Sequence, residues 1–193
     1  MPTWNEILSR NPQHSEFYAQ RWRNFVAEGK DIDGEARLID ALAPRNARIL
    51  DAGCGTGRVG GYLAKSGHHV VGVDLDPILI GYARKDFPEC QWEVGDLCKG
   101  EIPGDTYDVI VSAGNVMGFL PVEGRIPALQ AHADHLAENG RLVIGFGAGR
   151  GWSFQEFLQD AASVGLKPSL LLSTWDLQPF QQDSEFLVAI FKK

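Results

Sequence analysis

Short apolar segments alternate with helical patterns from residue 47 onward, and this alternation constrains the fold more than any other feature of the sequence. Segment 107–113 is apolar and β-branched at its centre, which is typical of a strand that is covered on both faces. The last two segments are expected to form a hairpin after a short connection. The pattern predicts an α/β fold with a doubly wound, mostly parallel sheet. Seven strands are expected, at residues 47–51, 69–74, 90–94, 107–113, 141–147, 169–175 and 185–191.

The segments between these strands carry helix signals. Asp76 is expected to be the N-cap of a helix that has Pro77 at its first position. Apolar residues at spacings of three and four predict another helix over 126–136, which the pair Asn139-Gly140 would end in a left-handed turn. The helix after Asp76 is expected to bury one stripe of side chains, formed by Ile78, Leu79, Tyr82 and Ala83.

Residues 1–46 show no strand pattern and predict a helical appendage, with a second short helix over 34–43. No repeat or long linker divides the chain, so we interpret it as a single domain. Its parts are the appendage at 1–46, a core at 47–147, and a final helix and hairpin at 148–193. The first helix of the appendage is expected to carry an aromatic and apolar face, formed by Tyr18, Trp22, Phe25 and Val26.

The composition narrows the possible partners. The chain has 18 Lys and Arg residues against 25 Asp and Glu residues, a net charge of −7, and no basic stripe that would suit a phosphate backbone, so we expect no nucleic-acid partner. Cys54, Cys90 and Cys98 lack C-x-x-C spacing, and neither a disulfide framework nor a metal site is predicted. The sequence has no signal-peptide pattern and no apolar stretch of membrane-spanning length, which predicts a cytoplasmic protein without membrane association.

A glycine-rich turn follows the first predicted strand. The strand ends in Asp51 and runs into Gly53, Gly55 and Gly57 before a helix begins. Glycines permit positive φ angles and let a ligand approach the bare backbone, while the amides of the next helix attract negative charge. The same residues also suit a tight turn with no ligand. The turn therefore predicts a nucleotide site but does not by itself choose the nucleotide.

Two aspartates fall at the ends of the next two strands. Asp74 closes the second strand, 21 residues after Gly53, where an acid could accept hydrogen bonds from ribose hydroxyls. Asp96 follows the third strand, where it could accept a hydrogen bond from an adenine amine. Either residue alone is more often a cap or a turn residue. Their placement at successive strand ends favours a bound cofactor.

These motifs resemble those of the class I S-adenosylmethionine-dependent methyltransferases. The resemblance rests on Ile-Leu-Asp-Ala-Gly-Cys-Gly-Thr-Gly-Arg at 49–58, Gly-Val-Asp-Leu-Asp-Pro at 72–77 and Gly-Asp-Leu at 95–97. It implies a sheet of order 3-2-1-4-5-7-6 with strand seven antiparallel. It also implies S-adenosylmethionine as cofactor and S-adenosylhomocysteine as product. The implied cofactor-binding residues are Asp51, Gly53, Cys54, Gly55, Thr56, Gly57, Arg58, Asp74, Leu75, Gly95, Asp96, Leu97, Ala113, Gly114 and Asn115.

The expected activity is transfer of a methyl group to a small-molecule acceptor by in-line displacement, which depends mostly on orientation and exclusion of water. We assign no catalytic side chain, and His14 is too weak a candidate for a base. Segment 112–116 lacks the Asn-Pro-Pro-Tyr type of motif, which disfavours methylation of base or glutamine amino groups. Arg150 suggests an acidic acceptor. The expected walls of the acceptor pocket are Tyr18, Trp22, Phe119, Arg150, Trp152, Trp175 and Phe180.

Two other functions fit parts of the same sequence. The first is an NAD(P)-binding oxidoreductase, because residues 55–60 satisfy G-x-G-x-x-G and Asp74 lies 19 residues after Gly55. Asp51, the Gly95-Asp96 pair and the closing hairpin argue against it, as does the lack of a Tyr-x-x-x-Lys pair. The second is a protein that binds S-adenosylmethionine without catalysis, since the fold itself demands no catalytic side chain.

Overall fold

A single mixed sheet of seven strands forms the centre of the protein, in a computed structural model that describes residues 1–104 and 106–193. The strand order is β3-β2-β1-β4-β5-β7-β6, and β7 runs antiparallel to both of its neighbours. Both the order and the direction of β7 are as the resemblance implied. The strands are β1 (Arg48–Ala52), β2 (His69–Asp74), β3 (Gln91–Val94), β4 (Tyr107–Ser112), β5 (Leu136–Gly147), β6 (Lys167–Leu172) and β7 (Phe186–Lys192).

The central strands are apolar because helices cover both of their faces. On β1, Ile49 belongs to the cluster beneath one helical layer, whereas Leu50 belongs to the cluster beneath the other, and neither is exposed to solvent. The same alternation separates Val109 from Ile110 on β4. A parallel register pairs Asp51 with Val111 and Ala52 with Val73. The carboxyl ends of β1, β2 and β4 therefore meet at one edge of the sheet.

Seven α-helices form in the part of the chain that the structure describes. Side chains of α3 and α4 cover one face of the sheet, and those of α6 and α7 cover the other. The helix α5 packs on Trp92 of β3. The helices are α1 (Trp4–Arg10), α2 (His14–Ala27), α3 (Gly34–Leu42), α4 (Arg58–Lys65), α5 (Pro77–Asp86), α6 (Arg125–His135) and α7 (Phe154–Ser163). None of the described helices is long and apolar enough to cross a membrane.

The helical appendage is docked on α5 through one buried carboxylate. Asp76 caps α5, as predicted, by accepting a hydrogen bond from the Ile78 amide at 2.8 Å through Oδ1. Its Oδ2 accepts hydrogen bonds from Trp4 Nε1 at 2.9 Å and from the hydroxyl of Ser15. Both α1 and α2 are thus tied to the first turn of α5. Val26 was predicted to belong to the aromatic and apolar face of α2, but it is exposed to solvent.

Two predicted helix features are wrong. The buried stripe of α5 consists of Leu79, Ile80 and Ala83, whereas Ile78 is 41% exposed, because α5 meets the sheet through a face that is rotated toward Trp92. The helix α6 ends at His135 rather than at Asn139-Gly140. The chain enters β5 at once because Leu136 already pairs with Tyr107 of β4. Strand β5 therefore runs through Asn139 and Gly140.

The hairpin of β6 and β7 is present, but its connection is longer than the sequence suggested. Residues 173–185 join the two strands, and Leu172 forms an isolated bridge to Pro179 within this segment. Trp175 lies in the connection and not in β6. Its ring packs against Gly145 of β5, where an added β-carbon would lie 2.3 Å from a ring atom. The connection therefore covers the sheet at Gly145.

A glycine within β2 provides a test of this packing. A β-carbon at Gly72 would lie 2.2 Å from the buried ring of Trp92. We expect Gly72→Ala to lower the free energy of unfolding by about 1–3 kcal/mol, as overpacking of a core does. Urea denaturation would measure the change.

Gly81→Ala is the matched control. Gly81 lies in α5, and an added β-carbon there would meet nothing within 4 Å. Alanine favours a helix over glycine, so this variant should gain up to about 1 kcal/mol. If Gly72→Ala were as stable as the parent, the close contact between Gly72 of β2 and the Trp92 ring would be ruled out.

Candidate functional site

A cavity of about 520 Å³ opens at the carboxyl ends of the first four strands. Gly53, Asp74, Gly95 and Ala113, which follow or end these four strands in turn, all line it. Residues 3–6, around the start of α1, line the opposite side. A cavity at this edge of an open α/β sheet is the usual location of a ligand site, and its volume lies within the range of small-molecule pockets.

The glycine turn lies on the floor of this cavity in a conformation that requires glycine. Gly53, Gly55 and Gly57 have φ angles of +80°, +56° and +79°. Their lack of side chains also permits close contacts, because a β-carbon on Gly53 would lie 2.4 Å from the side chain of Val116. Gly57 is the N-cap residue of α4. The predicted turn is present, and its amides lie beside the cavity.

Asp74 holds the turn in place. Its Oδ2 accepts a hydrogen bond from the Gly55 amide at 2.8 Å, and its Oδ1 accepts one from the Asp76 amide at 2.9 Å. Burial raises the pKa of this carboxyl to about 6. Each carboxylate oxygen has two lone pairs, so each keeps one for a ligand such as a ribose hydroxyl. Asp74 therefore connects the glycine turn, the cavity and the cap of α5.

Asp51 lies behind the turn in a more enclosed environment. Its side chain accepts a hydrogen bond from the Gly60 amide at 2.9 Å, and only 3% of the residue is exposed. Burial raises the pKa of its carboxyl from 3.8 to about 7, against the opposing effect of Arg58. Asp51 lines a second, small cavity that shares Gly53 and Gly114 with the large one. A cationic group in that small cavity would favour the ionised form of Asp51.

Arg58 connects the start of α4 to the appendage. Its guanidinium donates to the Ile32 carbonyl at 2.6 Å and to Glu35 Oε2 at 2.9 Å, and it lies 4.2 Å from the centre of the Trp22 ring. Arg58 and Trp22 line the small cavity, together with Cys54 and Thr56. The charge of Arg58 is therefore paired with Glu35 within the protein. Trp22 is half-buried against this pair and lines only the small cavity.

The opposite end of the large cavity is formed by the segment after β3. Asp96 Oδ1 accepts a hydrogen bond from the Cys98 amide at 2.9 Å, and the Gly95 amide donates to the Asp74 carbonyl at 3.0 Å. Leu97 is buried and contributes an apolar wall, while Leu75 lies beside Asp74 on the same side. The residues assigned to the adenine and the ribose are thus adjacent in the structure, as their order along the strands predicted.

The segment after β4 does not contribute all the side chains that were expected. Ala113 and Gly114 line both cavities. Asn115 lines neither, because its Oδ1 accepts a hydrogen bond from the Gly147 amide at 2.8 Å. Gly114 and Asn115 are consecutive left-handed residues, with φ angles of +71° and +67°. Asn115 therefore supports the shape of this segment, and its side chain does not face the large cavity.

An aromatic wall closes the cavity on the side of the appendage. Trp4 contacts Tyr18 and Phe119 edge to face, with ring centroids 5.8 Å and 5.5 Å apart. All three rings line the cavity. The sequence predicted Tyr18 and Phe119 but missed Trp4 and α1. A Thr3-x-x-Glu6 capping box begins α1, and this S/T-x-x-E spacing is the signal that could have revealed the helix.

Four residues predicted for the acceptor pocket line neither cavity, and a fifth, Trp22, lines only the small one. Trp152 is 1% exposed and packs in the core, where its indole nitrogen donates to Asp160. Trp175 packs on Gly145, and Phe180 packs on Phe154. The side chain of Arg150 lies over Gly118 and reaches Met1. Residues that follow a strand can reach either a cavity or the core, and position along the chain does not distinguish these outcomes.

The fold and the cavity together define a Rossmann-like protein with a site for an adenosine-containing cofactor. A family model described as a methyltransferase domain matches residues 49–140. A solved structure, a TehB-like S-adenosylmethionine-dependent methyltransferase from Corynebacterium glutamicum, is 63% identical, with a TM-score of 0.92. The match covers 95% of this chain and 100% of that one. The chain belongs to the class I S-adenosylmethionine-dependent methyltransferase family, and S-adenosylmethionine is its cofactor.

More distant relatives differ in their acceptors. A dTDP-3-amino-3,4,6-trideoxy-alpha-D-glucopyranose N,N-dimethyltransferase from Streptomyces venezuelae is 28% identical over 75% of this chain. A ribosomal RNA small subunit methyltransferase C from Chromohalobacter salexigens is 32% identical over 60% of this chain. This chain spans 57% and 38% of the lengths of these two proteins. The similarity therefore does not identify the acceptor.

The raised pKa of Asp51 predicts a pH-dependent stability. Because the pKa in the folded protein exceeds the ordinary value of 3.8, Asp51 contributes stability below about pH 4 that is lost as the pH rises to about 7. Asp51→Asn cannot ionise and keeps an oxygen for the Gly60 amide. We expect its stability advantage over the parent to grow between those pH values and to reach about 1–4 kcal/mol at pH ~8.

Thermal or chemical unfolding at several pH values would measure this difference. Asp86→Asn is the control, because Asp86 is exposed on α5 and pairs only with Arg23 at 3.5 Å. It should show no comparable trend with pH. A constant difference between Asp51→Asn and the parent from pH ~4 to ~8 would contradict the raised pKa.

Proposed function

We propose that the protein transfers the methyl group of S-adenosylmethionine to a small-molecule acceptor by in-line displacement. The observation that carries this proposal is that the large cavity runs without interruption from the glycine turn, past Asp74, to the wall of Trp4 and Phe119. Its first part suits the cofactor, and its aromatic part lies beneath α1, where a small acceptor would be enclosed. A nucleic-acid substrate would need a basic surface, which a chain of net charge −7 does not favour.

The binding roles follow from the positions of the polar groups. Asp51 and the backbone at Gly53 would hold the amino acid portion of the cofactor. Asp74 would accept hydrogen bonds from the ribose, and Asp96 and Leu97 would contact the adenine. The cofactor supplies an activated methyl group on a sulfonium. The protein would contribute mainly orientation and exclusion of water, so no general base has to be assigned.

The appendage at 1–46 would act as a lid within a single domain, over the core at 47–147 and beside the final segment at 148–193. Its support is the anchoring of α1 and α2 on Asp76. Trp4 then lies over the cavity from which water must be excluded. A cytoplasmic location stays a prediction of the sequence.

The amino-sugar methyltransferase from Streptomyces venezuelae supports a small acceptor, whereas the ribosomal RNA methyltransferase represents the alternative. Incubation of the purified protein with radiolabelled S-adenosylmethionine, and with either small metabolites or ribosomal RNA, would distinguish them. We expect label in the small metabolites. Label in RNA alone would contradict the proposed acceptor, and no label in either would favour the non-catalytic binding protein.

Cofactor binding can be tested through Asp74. We expect Asp74→Asn to weaken S-adenosylmethionine binding by about 1.5–3 kcal/mol, the magnitude of a hydrogen bond to a charged group. Isothermal titration calorimetry would measure this loss, with Asp86→Asn as the surface control. NAD should not bind to either variant or to the parent. Unchanged affinity in Asp74→Asn would mean that the ribose lies elsewhere.

A further inference from the structure

Apart from the phenol of Tyr18 and the thiol of Cys98, the ionisable side chains that line the large cavity are carboxylic acids. They are the carboxylates of Glu6, Asp74, Asp96 and Glu123, and among the residues that the structure describes no lysine, arginine or histidine lines this cavity. Hydrogen bonds from Thr3 hold the pKa of Glu6 below its usual value, so this carboxyl is ionised at neutral pH. A ligand in the cavity therefore experiences a negative potential.

Three cations near the large cavity, Arg58, Lys99 and Arg21, do not line it. Arg58 lies in the small cavity and is paired with Glu35. Lys99 approaches Asp96 at 3.6 Å, but its side chain is 69% exposed, so solvent screens its charge. Arg21 lies 4.9 Å from the centre of the Tyr18 ring and is exposed on α2. None of these three residues offers an anion a binding position within the large cavity.

The cofactor does not account for all of the acidic side chains. The groups of the cofactor that Asp74 and Asp96 would contact, the ribose and the adenine, are neutral. The ammonium group of the cofactor would be served by Asp51 in the small cavity. Glu6 and Glu123 are both solvent-exposed, so their charge is screened as that of Lys99 is, and they are left to face whatever enters beside the cofactor.

The aromatic wall adds a second preference for positive charge. Trp4, Tyr18 and Phe119 line the cavity with their rings at near right angles to one another, at 88° and 83° in the two pairs that include Trp4. Because the three rings differ in orientation, they present both faces and edges along the wall of the cavity. The face of an aromatic ring attracts cations, and groups of such rings recognise substituted ammonium ions.

We propose that the methyl acceptor is an aliphatic amine, bound between the aromatic wall of Trp4, Tyr18 and Phe119 and the acidic side chains of the same cavity. This inference rests on the proposed function, because it names the acceptor class for that reaction. An anionic acceptor would meet carboxylates and no counter-charge. An amine would find both rings and carboxylates that suit a positive charge.

The charge changes of the reaction agree with this lining. The bound ammonium first releases one proton to water, and the lone pair of the resulting neutral amine nitrogen forms the new N–C bond while the S–C bond breaks. The sulfur keeps the bonding pair and becomes a thioether. The positive charge moves from sulfur to nitrogen and is not neutralised. A primary or secondary amine then releases a proton to water, whereas a tertiary amine becomes a quaternary ammonium ion. A lining that favours cations stabilises the positive charge throughout.

A matched set of three ligands tests the preference for a cation. The probes are choline, the alcohol 3,3-dimethyl-1-butanol, in which a carbon atom replaces the choline nitrogen, and the anion 3,3-dimethylbutanoate (tert-butylacetate). All three carry three methyl groups on one tetrahedral atom. Calorimetry would be done on the protein saturated with S-adenosylhomocysteine, which fills the cofactor site but lacks the sulfonium. We expect choline to bind roughly fivefold or more tightly than the alcohol, and tert-butylacetate to bind most weakly. Equal binding of choline and the alcohol, or tighter binding of the anion, would overturn the proposal.

Phe119→Leu tests the aromatic wall, because leucine keeps an apolar side chain but removes the ring. We expect the affinity for choline to fall roughly threefold or more. Phe17→Leu is the control, since Phe17 precedes Tyr18 on α2 but is 57% exposed. If Phe119→Leu instead weakened S-adenosylmethionine binding and left choline binding unchanged, the rings would serve the sulfonium, and the assignment to the acceptor would fail.

Methyl transfer gives an independent readout. A metabolite extract would be separated by ion exchange into cationic, neutral and anionic fractions, and each would be incubated with the protein and radiolabelled S-adenosylmethionine. We expect label in the cationic fraction, in a product that remains cationic. Label only in the neutral or anionic fraction would overturn the amine proposal and leave the methyltransferase activity intact. No label in any fraction would count against the proposed function, and the choline titration would still decide the question of the amine.

Discussion

The hydrogen bonds of Asp74 are the interaction on which the site depends. One carboxylate, at the end of β2, holds the Gly55 amide with one oxygen and the Asp76 amide with the other. The first bond fixes the turn that leaves β1, and the second fixes the cap of α5. Because parallel strands end at a common edge, a side chain at the end of one strand can hold in place the loops that follow two strands. The arrangement makes the glycine turn and the docking of the appendage parts of one hydrogen-bonded network.

Asp76 extends this network to the appendage. Its carboxylate caps α5 and also accepts hydrogen bonds from Trp4 of α1 and Ser15 of α2. A buried carboxylate is costly unless its hydrogen-bonding capacity is used, and here four donors share it, the Leu79 amide included. The helices α1 and α2 therefore supply partners that the N-cap would otherwise lack. Their positions place Trp4 and Tyr18 at the cavity.

The sequence predicted the core of this arrangement because its signals are local. Strand periodicity, the Asp76-Pro77 cap and the spacing of three glycines each depend on a few neighbouring residues, and the structure agrees with all of them. Whether Trp152 and Trp175 reach the cavity or the core depends instead on which face of the sheet the chain crosses after a strand. No short sequence motif specifies that crossing. Asn139-Gly140 failed for a similar reason, since pairing of Leu136 with Tyr107 outweighed a local turn preference.

The acidic character of the site has a cost that suggests its purpose. Asp51 and Asp74 are buried where desolvation raises both pKa values, to about 7 and about 6, so the protein alone gains nothing from their charge. The one hydrogen bond that Asp51 accepts, from the Gly60 amide, could be made by a neutral asparagine. A carboxylate differs from asparagine in its attraction for a cation and in its capacity to accept at both oxygens. Such residues are retained at a cost in stability where a ligand provides the missing positive charge, and the ammonium group of S-adenosylmethionine would provide it at Asp51.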